Sequence, residues 1–199
     1  MVHVGNHNSK LGANIPSINL PAGKTCRPDA PCFKDCYAKK GRWLFKNVQK
    51  SLAENLEAYK QDPDGYFDEI ATKTRLARYV RWHSSGDIVD DAYLTGMCKV
   101  ARKNPNTDYL AFTKKFDIVN AYVDVGHRIP RNLHIVFSGW DNLFPVDNPH
   151  NFPTTWVFFK ETVRNSRIPE TAIPCKGKCY ECLACWQLRN GQSVYFHKH

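Results

Sequence analysis

Arg78-Tyr79-Val80-Arg81-Trp82-His83 runs into Ser84-Ser85-Gly86-Asp87, and the same plan recurs twice downstream. Tyr109-Leu110-Ala111-Phe112 runs into Thr113-Lys114-Lys115, and Leu133-His134-Ile135-Val136-Phe137 into Ser138-Gly139-Trp140-Asp141. Each is a strand-length apolar run closed by small or charged residues. Between the first two lies a helical pattern from about Asp90 to Lys103, with acids first and cations last as the helix dipole favours. Asn104-Pro105 ends it. Between the second and third lies another, about Asp117–Val125, closing on Gly126 as a C-cap. Strand–helix alternation with short turns predicts an α/β fold, either a partial (β/α) barrel or an open, mostly parallel sheet covered by helices.

Working outward, Leu44, Val48, Leu52, Leu56 and Tyr59 recur at helical spacing, and Asp62-Pro63-Asp64-Gly65 stops that helix. A second helix is expected from Tyr66 to about Ala77, and a last strand at Trp156–Phe159. Residues 1–40 lack periodicity and read as an ordered loop. A length of 199 residues suits a single domain, 1–199, with an N-terminal cysteine loop (about 1–40) and a C-terminal cysteine-rich segment (about 170–199).

Loops at the carboxyl ends of parallel strands form the active face of barrel and open-sheet folds. Turn chemistry accounts for Gly and Asp at the three strand ends, but it does not demand lysines or Trp140. Ser85, Gly86 and Asp87 are therefore expected to contact a small-molecule cofactor, and Lys114 an anionic group. Asp87 and Lys114 are the candidate catalytic residues.

Seven of the eight cysteines fall in two tight clusters. Such clustering without an export signal indicates metal ligation rather than a disulfide scaffold. Cys26-x5-Cys32-x3-Cys36 supplies three thiolates on one loop, leaving one iron of a cubane open to a further ligand. Lys24, Arg27 and Lys34 would favour their deprotonation. Cys175-x3-Cys179-x2-Cys182-x2-Cys185 is a complete four-thiolate set, with the dense spacing of ferredoxin-like runs rather than the paired doublets of zinc knuckles. The expected cofactors are one or two 4Fe–4S clusters, with zinc as the alternative metal. Cys98 lies among apolar helix positions and reads as a core residue. His83 reads equally as structural or as a ligand, and His197 and His199 as solvated tail.

No apolar run is long enough to span a bilayer, and the N-terminus lacks a signal-peptide layout, so a cytoplasmic location without membrane association is expected. The formal charge of +9 admits a nucleic-acid partner. Its densest group is Lys39, Lys40, Arg42, Lys46 and Lys50.

Asn8-Ser9-Lys10-Leu11, Leu20-Pro21-Ala22-Gly23-Lys24-Thr25-Cys26 and Cys36-Tyr37-Ala38 together resemble a phage family described as gene product eighty-eight. Ser85-Gly86-Asp87, Phe112-Thr113-Lys114 and the closing cysteine run extend the likeness over most of the chain. That family is distantly similar to radical S-adenosylmethionine enzymes, which use a partial barrel and a three-cysteine cubane. The resemblance implies that Cys26, Cys32 and Cys36 hold the cluster and that the strand-end loops meet S-adenosylmethionine. Here the spacing is x5 then x3 where those enzymes have x3 then x2. Two functional classes follow. One is a phage iron–sulfur enzyme of radical or other redox chemistry, fed by an electron donor that the sequence does not identify. The other is a zinc- or cluster-stabilised module that binds nucleic acid or protein without catalysis.

Overall fold

The computed structural model describes residues 1–6, 8–140, 146–158 and 168–197. Eight strands form one sheet: β1 (Val4–Gly5), β2 (Ser17–Ile18), β3 (Tyr79–Trp82), β4 (Asp108–Thr113), β5 (Leu133–Trp140), β6 (Thr154–Phe158), β7 (Ile173–Pro174) and β8 (Ser193–His197). Their order is β1-β2-β3-β4-β5-β6-β8-β7. β1 pairs antiparallel with β2, and the other neighbouring pairs are parallel. β1 and β7 are the two edges, so the sheet is open; of the two predicted arrangements, this is the one formed.

Four helices cover one face: α1 (Lys46–Gln61), α2 (Pro63–Thr74), α3 (Asp91–Lys103) and α4 (Phe116–Asp124). A single helical turn, α5 (Cys179–Cys182), belongs to the C-terminal segment. Asp62 caps α2 by accepting the Gly65 N–H at 3.0 Å, and Pro63 takes the first turn, where a missing N–H costs nothing. The stop signal of the first helix is therefore also the start of the second. α2 begins earlier than its apolar pattern predicts and ends at Thr74 rather than Ala77. Leu44, expected inside α1, lies before it in a 3-10 turn and is exposed.

Strand alternation divides the core. Val80, Trp82, Tyr109, Ala111, Leu133, Ile135 and Phe137 face the helices and join Leu56, Phe67, Ile70, Leu94 and Met97. Gly96 lets α2 approach α3, since a Cβ there would lie 2.0 Å from the Phe67 ring. On the other face, Tyr79, Leu110, Phe112, Val136 and Val194 pack against Leu11, Ile15, Trp186 and Leu188. The C-terminal segment thus covers the face that the helices leave open. Trp186 fixes it there, donating its indole N–H to the Asp108 carbonyl at 3.2 Å.

The remaining differences lie at element ends. β5 runs to Trp140, three residues beyond the predicted strand, and α4 begins at Phe116. The last predicted strand begins earlier, at Thr154, and Phe159 lies outside the described residues, as do Asp141 and His199. His197 is not tail: its backbone ends β8, in register with Phe158.

Candidate functional site

β2 lies parallel to β3, so the chain leaving it emerges at the same carboxyl edge as Ser84–Asp87. That chain is the first cysteine loop. It is stitched to the β3 end from both sides: Leu20 N–H donates to Ser85 O at 3.0 Å, and Ser85 Oγ donates to Leu20 O at 2.9 Å. The Asp87 N–H donates to Thr25 Oγ1 at 2.9 Å, and the Tyr37 hydroxyl to Ser84 O. Gly86 makes the approach possible. Its φ is +82°, and a Cβ would meet Leu20 Cβ at 2.7 Å and Thr25 Oγ1 at 2.8 Å.

Asp87 turns its carboxylate into the protein. Oδ1 accepts the Thr113 hydroxyl at 2.6 Å and the Ile88 N–H at 2.8 Å, and Oδ2 accepts the Lys114 N–H at 2.9 Å. Burial raises its pKa, while those three donors and the Lys114 charge pull it back. Three donors aimed at two oxygens match an ionised carboxylate. Asp87 therefore locks the β3 and β4 ends together and holds the cysteine loop through its own backbone. Ser85 and Gly86 serve the same junction.

Lys114 is half-buried and donates to Ser138 Oγ at 2.7 Å, linking the third strand end. Its charge favours the Cys32 thiolate. Burial nonetheless raises the pKa of Cys26 and of Cys32, and the neighbouring cysteines of the loop add to both shifts. Arg27 reaches Lys114 O at 3.5 Å and pairs with Asp29 at 2.8 Å. The structure brings Ser85, Gly86, Asp87, Lys114, Cys26, Cys32 and Cys36, the residues singled out in the sequence, into one neighbourhood.

The second cysteine set lies on the open face of the sheet. Cys175, Cys179, Cys182 and Cys185 line one pocket with Gly177, Leu183 and Trp186. The Gly177 N–H points at Cys175 Sγ, 3.4 Å away, and the Cys179 N–H donates to Lys10 O at 2.7 Å. Leu183 turns left-handed (φ 51°) between the second and fourth of these cysteines. Burial pushes the Cys185 thiol up to about 12, against the favourable charge of Arg81, and also raises Cys179. Cys26, Cys32, Cys179 and Cys185 therefore sit where ionisation is unfavourable unless a cation compensates it.

All eight cysteines are free thiols. Among the described residues, no three His, Cys, Asp or Glu side chains come together at the spacing of a single bound metal ion. Cys98 is fully buried in α3 against Tyr122, in keeping with its reading as a core residue. His83 follows β3 at φ 58° and is buried; Nε2 lies 3.2 Å from the Tyr93 hydroxyl, while Nδ1 has no hydrogen-bond partner among the described residues. Two features were not legible beforehand. One is Arg81, whose alternation places it facing the C-terminal cysteines; the other is Tyr37, whose hydroxyl reaches the β3 end. A shallow depression over α2 and α3, lined by Asp68, Thr72, Arg75 and Lys103, lies apart from the cysteines.

Residues 3–188 match the family described as Gene product 88, which takes in the first cysteine loop, all three strand ends and the C-terminal cysteines. The chain belongs to the Gene product 88 family. A curated relative, the Gene 88 protein of Mycobacterium phage L5, is 28% identical over 153 residues, covering 69% of this chain. The match spans 62% of that relative's length. No solved structure matches this Gene product 88 chain. None of its described helices is long and apolar enough to cross a membrane.

Proposed function

We propose that this Gene product 88 chain is a phage iron–sulfur protein acting in the host cytoplasm, with its reactive site at the carboxyl edge of the sheet. The observation that carries the reading is the placement of the first cysteine loop. Three free thiols leave β2 at the edge where parallel-sheet proteins concentrate chemistry, bound to the loops after β3 and β4. Cys26, Cys32 and Cys36 would hold one 4Fe–4S cluster, and Cys175, Cys179, Cys182 and Cys185 a second. The donor chemistry supports this reading: soft thiols, grouped by loop, with a backbone N–H directed at a sulfur.

A cluster held by three cysteines supplies an open iron and one-electron chemistry. The chain's own residues do the rest. Asp87 and Thr25 position the loop, and Lys114 adds a positive charge beside Cys32 for an anionic ligand or for the thiolate itself. The carboxylate of Asp87, filled by protein donors, makes it a positioning residue rather than a proton carrier. S-adenosylmethionine is the small-molecule cofactor favoured by the radical-enzyme resemblance.

Anaerobic purification followed by iron, acid-labile sulfide and zinc analysis tests the reading. Iron and sulfide in comparable amounts, and a reduced-state paramagnetic resonance spectrum altered by S-adenosylmethionine, are expected. Stoichiometric zinc without sulfide would overturn it in favour of a structural module. One observation favours that second reading: Lys39, Lys40, Arg42, Lys46 and Lys50 are all exposed beside exposed Tyr37, Leu44 and Phe45, a basic and apolar apron suited to nucleic acid or an acidic protein.

A further inference from the structure

Arg81 sits in β3 on the face that the C-terminal segment covers, and only 9% of its surface reaches solvent. A guanidinium carries five N–H donors and a permanent charge. Among the described residues its hydrogen bonding is one contact, Nε to the Trp82 carbonyl at 2.9 Å. Its plane lies over the Phe112 ring, 3.9 Å from the centroid. Tyr79, Leu110 and Phe112 surround it on that face, and Cys179, Leu183 and Cys185 pack against the same group. The titratable groups that bear on it are Tyr37, Cys179 and Cys185, none of them a carboxylate.

A buried cation without a matched anion is strongly unfavourable, and thiols in their neutral form do not supply one. Anionic, metal-bound thiolates do. We propose that Arg81 is the counter-charge of the C-terminal metal site, neutralising the assembly held by Cys179 and Cys185 and raising its reduction potential. This rests on the cluster reading of that site. The assembly gains negative charge on reduction, and a fixed guanidinium stabilises the reduced form more than the oxidised one. Tyr37, next to Cys36, also lies within the electrostatic reach of Arg81. The guanidinium's weak hydration and flat stacking on Phe112 suit this position better than an ammonium.

The test uses the full chain carrying Cys32→Ser, which leaves the C-terminal set as the complete thiolate group, with Arg81, Arg81→Lys or Arg81→Met. Iron, sulfide and zinc content, chelator competition and a dithionite redox titration are measured, together with urea unfolding of the metal-free proteins. Arg81→Met should bind metal about 10–100-fold more weakly, the range for lost outer-shell partners, and titrate at a more negative potential. Arg81→Lys should fall between. The metal-free Arg81→Met chain should be at least as stable as the parent, because the mutation removes an uncompensated buried charge. Unchanged affinity and potential in a loaded Arg81→Met chain overturn the inference while the cluster reading stands. Equal losses in the Lys and Met variants overturn it too, as does a metal-free Arg81→Met chain that unfolds well before its parent. A parent chain without any metal overturns both the inference and the reading.

Discussion

Thr25, the residue before the first clustered cysteine, accepts the backbone N–H of Asp87 on its hydroxyl oxygen at 2.9 Å. The cysteine loop is thereby fastened to a residue whose side chain is already committed to the next strand end, through Thr113 at 2.6 Å and Lys114 N–H at 2.9 Å. Three connections of the sheet meet at Asp87, which makes the local geometry of Cys26 depend on residues more than sixty positions away in sequence.

Asp87→Asn keeps the shape but replaces an acceptor oxygen by an NH2 group facing an N–H or O–H donor. One buried donor is then unsatisfied, which costs about 1–3 kcal/mol. Urea unfolding should show that loss, and metal at Cys26, Cys32 and Cys36 should fall while metal at the C-terminal set is kept. Full stability in this variant would show that the carboxylate does not hold the junction.

Gly86→Ala and Gly126→Ala separate backbone strain from crowding. Both glycines have positive φ, +82° and +88°, so both variants carry a left-handed penalty of about 1–3 kcal/mol. At Gly126 nothing lies within 4 Å of the added Cβ, whereas at Gly86 it meets Leu20 and Thr25 below 3 Å. Gly86→Ala should be the more destabilising in thermal melts, and it alone should disturb the first cysteine loop. Equal effects would mean that the loop can move away from Gly86.

The legible and illegible parts of this chain divide by length of pattern. β3, β4 and β5 carry four to eight residues of apolar run with helices between, enough to fix an α/β sheet and its carboxyl edge before any coordinates. β1, β2 and β7 have two residues each, too few for a period to show, and they exist because a neighbouring strand offers its edge. The C-terminal segment was legible as a cysteine cluster, but its seat on the open face was not, since that seat depends on Trp186 and Leu188, which belong to no repeating apolar pattern. Ser85, Gly86 and Asp87 were found as a polar strand end. Their inward hydrogen bonds, which join the strand ends, depend on Thr25 and Thr113, which local sequence does not connect.

Cys98→Ala should leave metal content unchanged and cost about 1 kcal/mol, as typical for a small loss in a packed core. The thiol is buried against Tyr122, and the ionic group that bears on it is Arg102. Measuring metal-to-protein ratio and urea midpoint together checks both halves. Loss of one whole site would make Cys98 the fourth ligand of the first loop.

His83 gives the chain an acid-sensitive core. Burial first, then the Arg81 charge, lowers its pKa from the ordinary 6.5 to about 3. In the unfolded chain the imidazole takes up its proton near 6.5, whereas in the folded chain it stays neutral until about 3. Between those values the unfolded state binds more protons, so stability rises with pH and falls as acid is added. Each pH unit inside the window is worth about 1.4 kcal/mol, for a total on the order of 5 kcal/mol. The favourable contribution is complete above 6.5 and gone below about 3. Carboxylates also titrate in this range, so the comparison is with His83→Asn, a residue that accepts the left-handed backbone found here at φ 58° and does not titrate. Urea midpoints of the metal-free chain, taken at steps from pH 7 to pH 4, should fall more steeply for the parent than for the variant. Parallel curves would mean that the folded chain admits the proton on His83, through the Nδ1 atom that has no partner in the core.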